Sequence, residues 1–452
     1  MRTRRHPRLR HRLFAALLVL AAVQTTACTA DPGGPADAVP RGPATIRVPA
    51  EAPTITAALE RARPRDLVLV SPGRYRETVH VRTERVVVRG TDRNRVIVDG
   101  EGRRGNGIVV TARGVTIENL TVSGHLQNGV LVTGLKNDGE GVGRGSDGYH
   151  RLDPVANPPL DGFRVQYVTA ADNGLYGIYA FNARHGSIEH NYASGSADSG
   201  LYVGQCKPCD ILVRGNVAER NAVGYEGTNA SGPLWVVGNR FTGNRVGMTV
   251  NSDYLEALTP QIGGTIAGNL IADNTAADTP EQADGGFGIG IGIAGGRNNT
   301  VMHNRISGHP RAGLILSSSE DLPPIGNHVS DNLFAENSLD AAYLASVHAP
   351  GSGNCFTGAL GPTLPADLTA TMGCPAGAPA PTAGPRTALD APAAPVGTPF
   401  LDVPLPPEQP QLPGGAAARP GAPSDSGPGP ISPESVPVPA PDLLETCSRD
   451  GR

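Results

Sequence analysis

Residues 211–221 read ILVRGNVAERN, and residues 234–244 repeat the pattern as LWVVGNRFTGN. Each copy is a short alternating strand that ends at an asparagine, with a second asparagine five residues later. The first asparagine recurs along the chain as Asn119, Asn191, Asn216, Asn239, Asn269, Asn304 and Asn332. The intervals after Asn191 are 25, 23, 30, 35 and 28 residues. A repeat this short, without a helix, predicts one turn of a coil, and such turns are stable only when they stack.

A second recurring strand begins with glycine, as in GLYVGQ at 200–205 and GYEGTN at 224–229. Alignment of these strands places two columns of residues toward the interior, because side chains alternate between the faces of a strand. One column is Ile178, Leu201, Tyr225, Met248, Ile291 and Leu314, and the other is Ala180, Val203, Gly227, Val250, Ile293 and Leu316. Asparagines stacked at the corners of such a coil would hydrogen-bond to one another and to the backbone.

This pattern resembles the right-handed parallel β-helix of the pectate-lyase superfold. The resemblance covers residues 44–374 and implies an all-β solenoid of about 9–11 coils. The length of each coil then lies within the roughly 20–45 residues typical of solenoid repeats. The segment PTITAALERARP at 53–64 places Ile55, Ala58 and Leu59 on one helical face, which predicts a helix that caps the N-terminal coil. The following GRYRE, 73–77, is similar to an element of pectin methylesterases that also opens many β-helices without esterase activity.

Composition excludes several classes of protein. The chain has 452 residues, 59 glycines, 42 prolines and a net charge of −4, so it suits neither a helical bundle nor nucleic-acid binding. Twenty of the prolines follow Cys374. Residues 375–452 have no hydrophobic periodicity and are predicted to be disordered or polyproline-like, although the apolar stretch 400–405 could dock on the coil.

The N-terminus predicts export. Residues 1–12 hold six arginines, and residues 13–23 form an apolar run of 11, typical of a signal peptide at 1–27. Cys28 after Ala27 resembles a bacterial lipobox, which implies a lipid-anchored protein at the outer face of the cell membrane. Cleavage after Ala30 to give a secreted protein is the alternative. Residues 28–43 are predicted to be a flexible spacer, and a lipid on Cys28 would be the chain's sole contact with the membrane.

The remaining cysteines are expected to form disulfides, because export exposes thiols to oxidising conditions. The predicted pairs are Cys206–Cys209 and Cys355–Cys374, with Cys447 left single in the tail. An isolated CxxC without a second pair is a weak zinc signal, so no metal site and no cofactor are predicted.

The outward column of the glycine-led strands predicts a surface stripe, with Tyr179, Tyr202 and Glu226 in line and Asp198, Arg245 and Asn251 beside them. Exposed tyrosines suit sugar rings, whereas arginine, asparagine and carboxylates suit hydroxyls and uronates. Asp198 and Glu226 would lie on adjacent strands about 4.8 Å apart, close enough for a catalytic pair. Tyr202 or His185 would serve as acid or base, and Arg245 would neutralise a uronate. The alternative is that Tyr and Thr simply favour exposed strand positions.

The run SADSGLYVGQ at 196–205, followed by VRGNVAERNAVGYE at 213–226, resembles bacterial exported β-helix repeat proteins of the NosD-like or sugar-hydrolase type. Asp198, Tyr202, Gln205 and Glu226 match that run. The resemblance implies the fold and an extracytoplasmic location. From the stripe we further expect a monomeric protein that binds, and in one version cleaves or epimerises, an acidic or cell-wall polysaccharide. Motifs of polygalacturonases, calcium-dependent pectate lyases and alginate epimerases are absent. Asp147, His150 and Asp153 are close in sequence, in what we interpret as a solvated loop.

Two further hypotheses stay open at this stage. A non-catalytic surface scaffold would present a flat face with ordinary carboxylates to a protein or to the cell wall. A NosD-like accessory role in copper-site maturation ranks lower, because no cluster of His, Met and Cys is visible in the sequence.

Overall fold

The computed structural model describes residues 42–135, 151–282, 285–374, 389, 392–417 and 427–445. The predicted signal peptide, Cys28, nearly all of the spacer, Asp147, His150 and Cys447 lie outside these residues. The compact unit that carries the coil begins at Pro43.

The described residues form thirty-one β-strands. The first sixteen in chain order are β1 (Thr45–Val48), β2 (Leu67–Val70), β3 (Gly73–Tyr75), β4 (Val79–Val81), β5 (Val87–Gly90), β6 (Val96–Asp99), β7 (Ile108–Val110), β8 (Val115–Ser123), β9 (Val130–Thr133), β10 (Leu160–Ala171), β11 (Ile178–Phe181), β12 (Ala183–Glu189), β13 (Tyr192–Ser194), β14 (Ser199–Cys206), β15 (Ile211–Arg214) and β16 (Val217–Ala218). The others are β17 (Val223–Ala230), β18 (Leu234–Val237), β19 (Arg240–Thr242), β20 (Val246–Asn251), β21 (Gly264–Ala267), β22 (Leu270–Ala272), β23 (Ile289–Ala294), β24 (Thr300–Met302), β25 (Arg305–Ser307), β26 (Ala312–Ser317), β27 (His328–Ser330), β28 (Leu333–Ala335), β29 (Ala341–Leu344), β30 (Cys355–Phe356) and β31 (Thr363–Leu364).

Every pairing between these strands is parallel, and the pairings stack into three ladders. We call the ladders face A, face B and face C. Face A holds β1, β2, β5, β8, β10, β12, β15, β18, β21, β24, β27 and β30. Face B holds β3, β6, β13, β16, β19, β22, β25 and β28 together with the C-terminal halves of β8 and β10, and face C holds the other eleven strands. The predicted parallel β-helix is therefore confirmed.

The interior of the coil is the apolar core, and the two predicted inward columns lie in it. Ile178 pairs with Leu201, which pairs with Tyr225, and the series continues through Met248 as expected. These side chains are at most 1% exposed. Parallel strands packed on their inner sides favour such continuous columns of Ile, Leu and Val, which remove apolar surface from water along the whole length of the coil.

The repeated asparagines form a buried ladder at the corner between faces A and B. The Asn216 side chain donates to Oδ1 of Asn239 at 2.9 Å and to the carbonyl of Ile188 at 2.9 Å. The backbone N–H of Asn216 donates to the same Oδ1 at 3.0 Å. Asn239, Asn269 and Asn304 continue the pattern to Asn332. Each amide thus satisfies backbone groups that a sharp turn would otherwise leave buried and unpaired.

The other two corners carry ladders of their own. Between faces B and C the second asparagines of the repeat are linked in series, Asn221 to Asn244 and Asn244 to Asn274. His309 replaces asparagine in the next coil, where its ring meets the amides of Asn274 and Asn337. Between faces C and A, a short series links Gln261, Asn299, Asn327 and Asn354, which the sequence analysis did not identify.

The predicted capping helix is α1 (Ile55–Arg61), with Ile55, Ala58 and Leu59 buried against the first coil. Thr54 is its N-cap. Glu77, the last residue of GRYRE, accepts hydrogen bonds from the backbone N–H groups of Ile55 at 3.0 Å and Thr56 at 2.9 Å. In this chain that element therefore satisfies the free donors at the start of the helix, a structural role.

Disulfides close two parts of the coil, Cys206–Cys209 at the end of β14 and Cys355–Cys374 at the C-terminal end of the coil. A second short helix, α2 (Leu368–Thr371), lies beside the latter and buries Leu368. No helix among the described residues has both the length and the apolar character needed to cross a bilayer.

Within the predicted tail, the structure describes residues 392–417 and 427–445, which together we call the strap. The strap has three short 3-10 turns, Phe400–Asp402, Gly415–Ala417 and Pro433–Ser435, and otherwise runs without regular structure against the coil. Within the predicted docking stretch 400–405, Val403 is buried, whereas Leu405 is exposed.

Arginines of the coil hold the strap in place. Arg245, Arg93 and Arg305 donate to the carbonyls of prolines 395, 410 and 439 at 2.8, 3.0 and 2.8 Å. Proline has no N–H, so this segment cannot join a sheet as a regular strand, but its carbonyls remain available as acceptors. The polar contacts of the strap with the coil leave no periodic signal in the sequence, so composition did not indicate them.

Asn239→Ala tests the ladder. The substitution removes the two hydrogen bonds that the Asn239 side chain donates, and it leaves the backbone and side-chain donors of Asn216 without their acceptor. We expect a loss of about 2–3 kcal/mol in the free energy of unfolding, since each buried unpaired group costs about 1–3 kcal/mol. Thermal melting followed by circular dichroism measures it. Asn157→Ala, whose side chain makes one 3.5 Å contact, is the control; equal melting temperatures for the two variants would contradict the ladder's role.

Val436→Asp tests the strap. Val436 and Ile431 pack on the cluster of Leu212, Trp235 and Val237. Trp235 is the chain's single tryptophan and is 7% exposed. A carboxylate at 436 should lift the strap and shift Trp235 emission to longer wavelength, because the indole becomes hydrated. Val438→Asp is the matched control, since Val438 is already exposed. An unchanged emission maximum in Val436→Asp would disprove the contact.

Candidate functional site

The predicted stripe has the expected register on face C. Tyr179 pairs with Tyr202, Tyr202 with Glu226, and Glu226 with Thr249. The expectation that these tyrosines are exposed is wrong: Tyr179 is 1% exposed and Tyr202 is 3% exposed. A small apolar cluster outside the main core covers them, and it includes Leu152 and Ala257 from loops that follow other coils.

The tyrosines pack on one another. The rings of Tyr179 and Tyr202 stack with centroids 4.6 Å apart and an interplanar angle of 20°. Tyr176, which the sequence analysis did not select, meets the Tyr202 ring edge-on at 4.7 Å. Rings that contact each other and lie under loops offer no open face to a sugar, so Tyr179 acts in the structure as packing beneath the site.

The carboxylates of Asp198 and Glu226 lie together, as the sequence predicted, and Ser199 links them. The Ser199 hydroxyl lies 2.7 Å from Oε2 of Glu226 and 3.2 Å from Oδ1 of Asp198. Thr228 donates to the other Glu226 oxygen at 3.1 Å. Asp198 and Glu226 are both half-buried. We call Asp198, Glu226 and the neighbouring Glu256 the carboxyl cluster.

The surroundings of Glu226 favour its neutral form. Burial raises its pKa to about 8, the negative charges of Asp198 and Glu256 act in the same direction, and the hydrogen bonds from Ser199 and Thr228 oppose them. Glu226 therefore keeps its proton to a higher pH than an ordinary glutamate does. A protonated carboxyl group joined through a hydroxyl to a second carboxylate can give a proton at one end and accept one at the other.

Glu256 was missed by the sequence analysis. It is 3% exposed and lies in the loop between β20 and β21, where no repeat spacing marks it. Tyr202 is next to the same charges. Its pKa is raised by burial first and then by Glu226, so the phenol stays protonated and is suited to donate a hydrogen bond rather than to act as a base.

The other predicted binding residues are not brought together with the carboxyl cluster. Arg245 is 1% exposed; its guanidinium donates to Thr279 at 3.0 Å and to the strap, and lies 5.9 Å from the Phe287 ring. Its predicted exposure is wrong because the strap covers it. Gln205 is 1% exposed at the end of β14. Asn251 is half-buried, in the same outward column as Thr228.

Two groups from the sequence analysis lie elsewhere. His185 is in β12 on face A, where its ring meets the carboxylates of Asp161 and Asp210. Asp153 is exposed, and its carboxylate accepts the backbone N–H groups of Val155 and Ala156, the geometry of a local turn.

Comparison with known proteins finds one family. The sequence model of the family described as "Periplasmic copper-binding protein (NosD)" matches residues 66–276 and 161–350. Comparison with curated protein sequences finds no match.

Three solved structures illustrate the structural similarity. The A-module of Azotobacter vinelandii mannuronan C-5 epimerase AlgE6 has 16% identity, with a TM-score of 0.47, over 67% of this chain and 89% of that one. DFA-IIIase from Arthrobacter chlorophenolicus A6 without its lid has 16% identity, with a TM-score of 0.44, over 69% and 94%. Pectate lyase Pel9A has 14% identity, with a TM-score of 0.34, over 64% and 68%. Similarities at this level do not bear on the activity of this chain.

The family description names copper, whose usual ligands are imidazole, thiolate and thioether groups. Among the residues that the structure describes, one group of three such donors has its ligand atoms within 4.8 Å of one another: His328, Cys355 and Cys374. Both sulfurs are already bonded in the disulfide, so they are not thiolates. Met248 and Met302 are buried in the coil. The described residues therefore do not fit a copper centre.

The pKa of Glu226 predicts a pH dependence. Because its pKa is raised in the folded state from 4.5 to about 8, the folded chain holds a proton that the unfolded chain releases between these values. This contribution to stability is present at low pH and is lost as the pH rises toward 8. Glu226→Gln should abolish it, so the variant's melting temperature should fall less than the wild type's between about pH 5 and about pH 8.5.

Glu60→Gln is the control for this measurement, since Glu60 is exposed on α1. It should follow the wild-type profile. The assignment fails if Glu226→Gln also shows the wild-type change in melting temperature.

Proposed function

Since the chain belongs to the NosD family, we propose that it is an exported β-helix protein that binds a polysaccharide at the carboxyl cluster of face C and acts on it by proton transfer. The observation that carries the proposal is the link from protonated Glu226 through Ser199 to Asp198. Export is supported by the sequence of residues 1–27 and by the word periplasmic in the family description. Lipidation of Cys28 is part of the proposal.

The chemistry follows from the two carboxyl groups. Glu226 is the acid that gives its proton to an oxygen of the substrate, and Asp198 is the base that accepts a proton directly or from water. Hydrolysis of a glycosidic bond and abstraction of a sugar C–H proton both require such a pair. Tyr202 and Glu256 set the surroundings: the phenol donates, and the additional carboxylate keeps Glu226 protonated.

The approach of substrate is limited to the exposed sides of Asp198 and Glu226. The loop that carries Glu256 also holds Tyr254 and Leu255, which are 43% and 58% exposed. An exposed aromatic residue on the loop that carries Glu256 suits contact with a sugar ring. Asn251 lies at the start of the same loop and is the remaining predicted residue that could bind a hydroxyl group.

A non-catalytic scaffold is the second candidate. The burial of Tyr179, Tyr202 and Arg245 favours it, because the residues expected to contact a glycan are instead used for packing and for holding the strap. Its partner would be a protein or the cell wall. The raised pKa of Glu226 favours the catalytic proposal, because strongly shifted carboxyl groups are concentrated at functional sites.

Nuclear magnetic resonance of the purified chain with polyuronides and neutral glycans tests both candidates. We expect new sugar signals with the wild-type chain and a loss of turnover of about 100-fold or more in Glu226→Gln and Asp198→Asn, the usual effect of removing a general acid or base. Glu60→Gln should retain full turnover. Line broadening without new signals, or no effect of any glycan, would contradict the catalytic proposal, and the latter would leave the scaffold.

A further inference from the structure

A pocket of about 300 Å³ lies between face A and the strap, on a different face from the carboxyl cluster. Its floor is formed by β10, β12 and β15, and its outer wall by the strap residues Gly427, Pro428, Gly429 and Ile431. Glycine and proline leave space where larger side chains would fill it. The volume is at the lower end of small-molecule sites, enough for one sugar-sized ligand.

One cation on the floor of this pocket has no counter-charge. Arg164 makes neither an ion pair nor a hydrogen bond within the described part of the chain, and its Nε is buried without a partner. Its neighbour Arg214 is different, because Nη2 and Nε of Arg214 lie 2.6 and 3.1 Å from the same oxygen of Glu189. A guanidinium group without an acceptor in a partly closed pocket favours a bound carboxylate, which it can hold through two parallel hydrogen bonds.

The remaining lining suits a hydroxylated ligand. Ser187 pairs in register with Arg164 on the next strand, and both residues line the pocket. His185 is fixed by the carboxylates of Asp161 and Asp210 and also lines the pocket. Phe163, Leu212 and Ile431 supply apolar surface. A lining that combines polar and apolar groups matches the two kinds of surface on a sugar ring.

We propose that this pocket binds a small hydroxylated carboxylate, such as a single sugar-acid unit, with Arg164 binding the carboxylate and Ser187 a hydroxyl group. The site is on face A and shares no residue with the carboxyl cluster. The proposal for this pocket is therefore independent of the function proposed for the carboxyl cluster.

The strap makes the pocket responsive to its ligand. Ile431 lines the pocket and also packs on the cluster around Trp235. A ligand held between face A and the strap stabilises the docked position of the strap, because it contacts both sides only in that state. Binding is therefore coupled to the environment of Trp235, which gives a direct optical signal.

Titration of the full chain with D-galacturonate, followed by Trp235 fluorescence and by saturation-transfer nuclear magnetic resonance, tests the proposal. We expect saturable binding of D-galacturonate and at least about 10-fold weaker binding of D-galactose, which has the hydroxyls but no carboxylate. Arg164→Gln should weaken D-galacturonate binding by about 10-fold or more, and Ser187→Ala by several-fold. Circular dichroism checks that both variants fold.

Arg95→Gln is the matched control, an exposed arginine of the same charge. It should bind D-galacturonate as the wild type does. Equal binding of the two sugars, an unchanged affinity in Arg164→Gln, or the absence of saturable binding would overturn the proposal. Loss of turnover in Glu226→Gln with unchanged D-galacturonate binding would show that the two sites are separate.

Discussion

The buried amide of asparagine at each corner is the interaction on which this coil depends. A solenoid of short strands turns sharply three times per coil, and each turn directs backbone N–H and C=O groups into the interior. An asparagine offers one acceptor with two lone pairs and two donors, and it bonds to the turn of its own coil and to those of its neighbours. Asn216, Asn239 and Asn269 show the arrangement with nearly constant distances. The apolar columns then only have to fill the space between the corners.

Most of the coil was predictable from the sequence because the corner asparagines and the inward apolar residues both recur periodically. Alternation fixed the inward columns through Ile178 and Leu201, and it also fixed the outward register that brings Tyr202 next to Glu226. Exposure was not predictable, because it depends on what lies over the strands. Leu152, Glu256 and Ala257 come from loops without repeat spacing, and nothing in their local sequence indicates which strand they cover.

The same cover that removes the tyrosines from solvent changes the chemistry of the carboxyl groups beneath it. Desolvation raises the pKa of Glu226, and the nearby charges of Asp198 and Glu256 add to it. An open stripe would have offered more contact area to a glycan but would have left these carboxylates in their ordinary ionised form. In the observed arrangement the ring of Tyr179 is buried and cannot contact a glycan, and the same cover raises the pKa of Glu226.

In a simple solenoid each coil contacts its neighbours alone, so stability is roughly a sum of local terms and the ends can fray independently. The strap changes this rule. Leu412 donates to Asn119, 293 residues away, and Arg305 binds Pro439, 134 residues away. The strap thus joins early and late coils. Unfolding of either end must detach the strap, which makes a linear array behave as one cooperative unit.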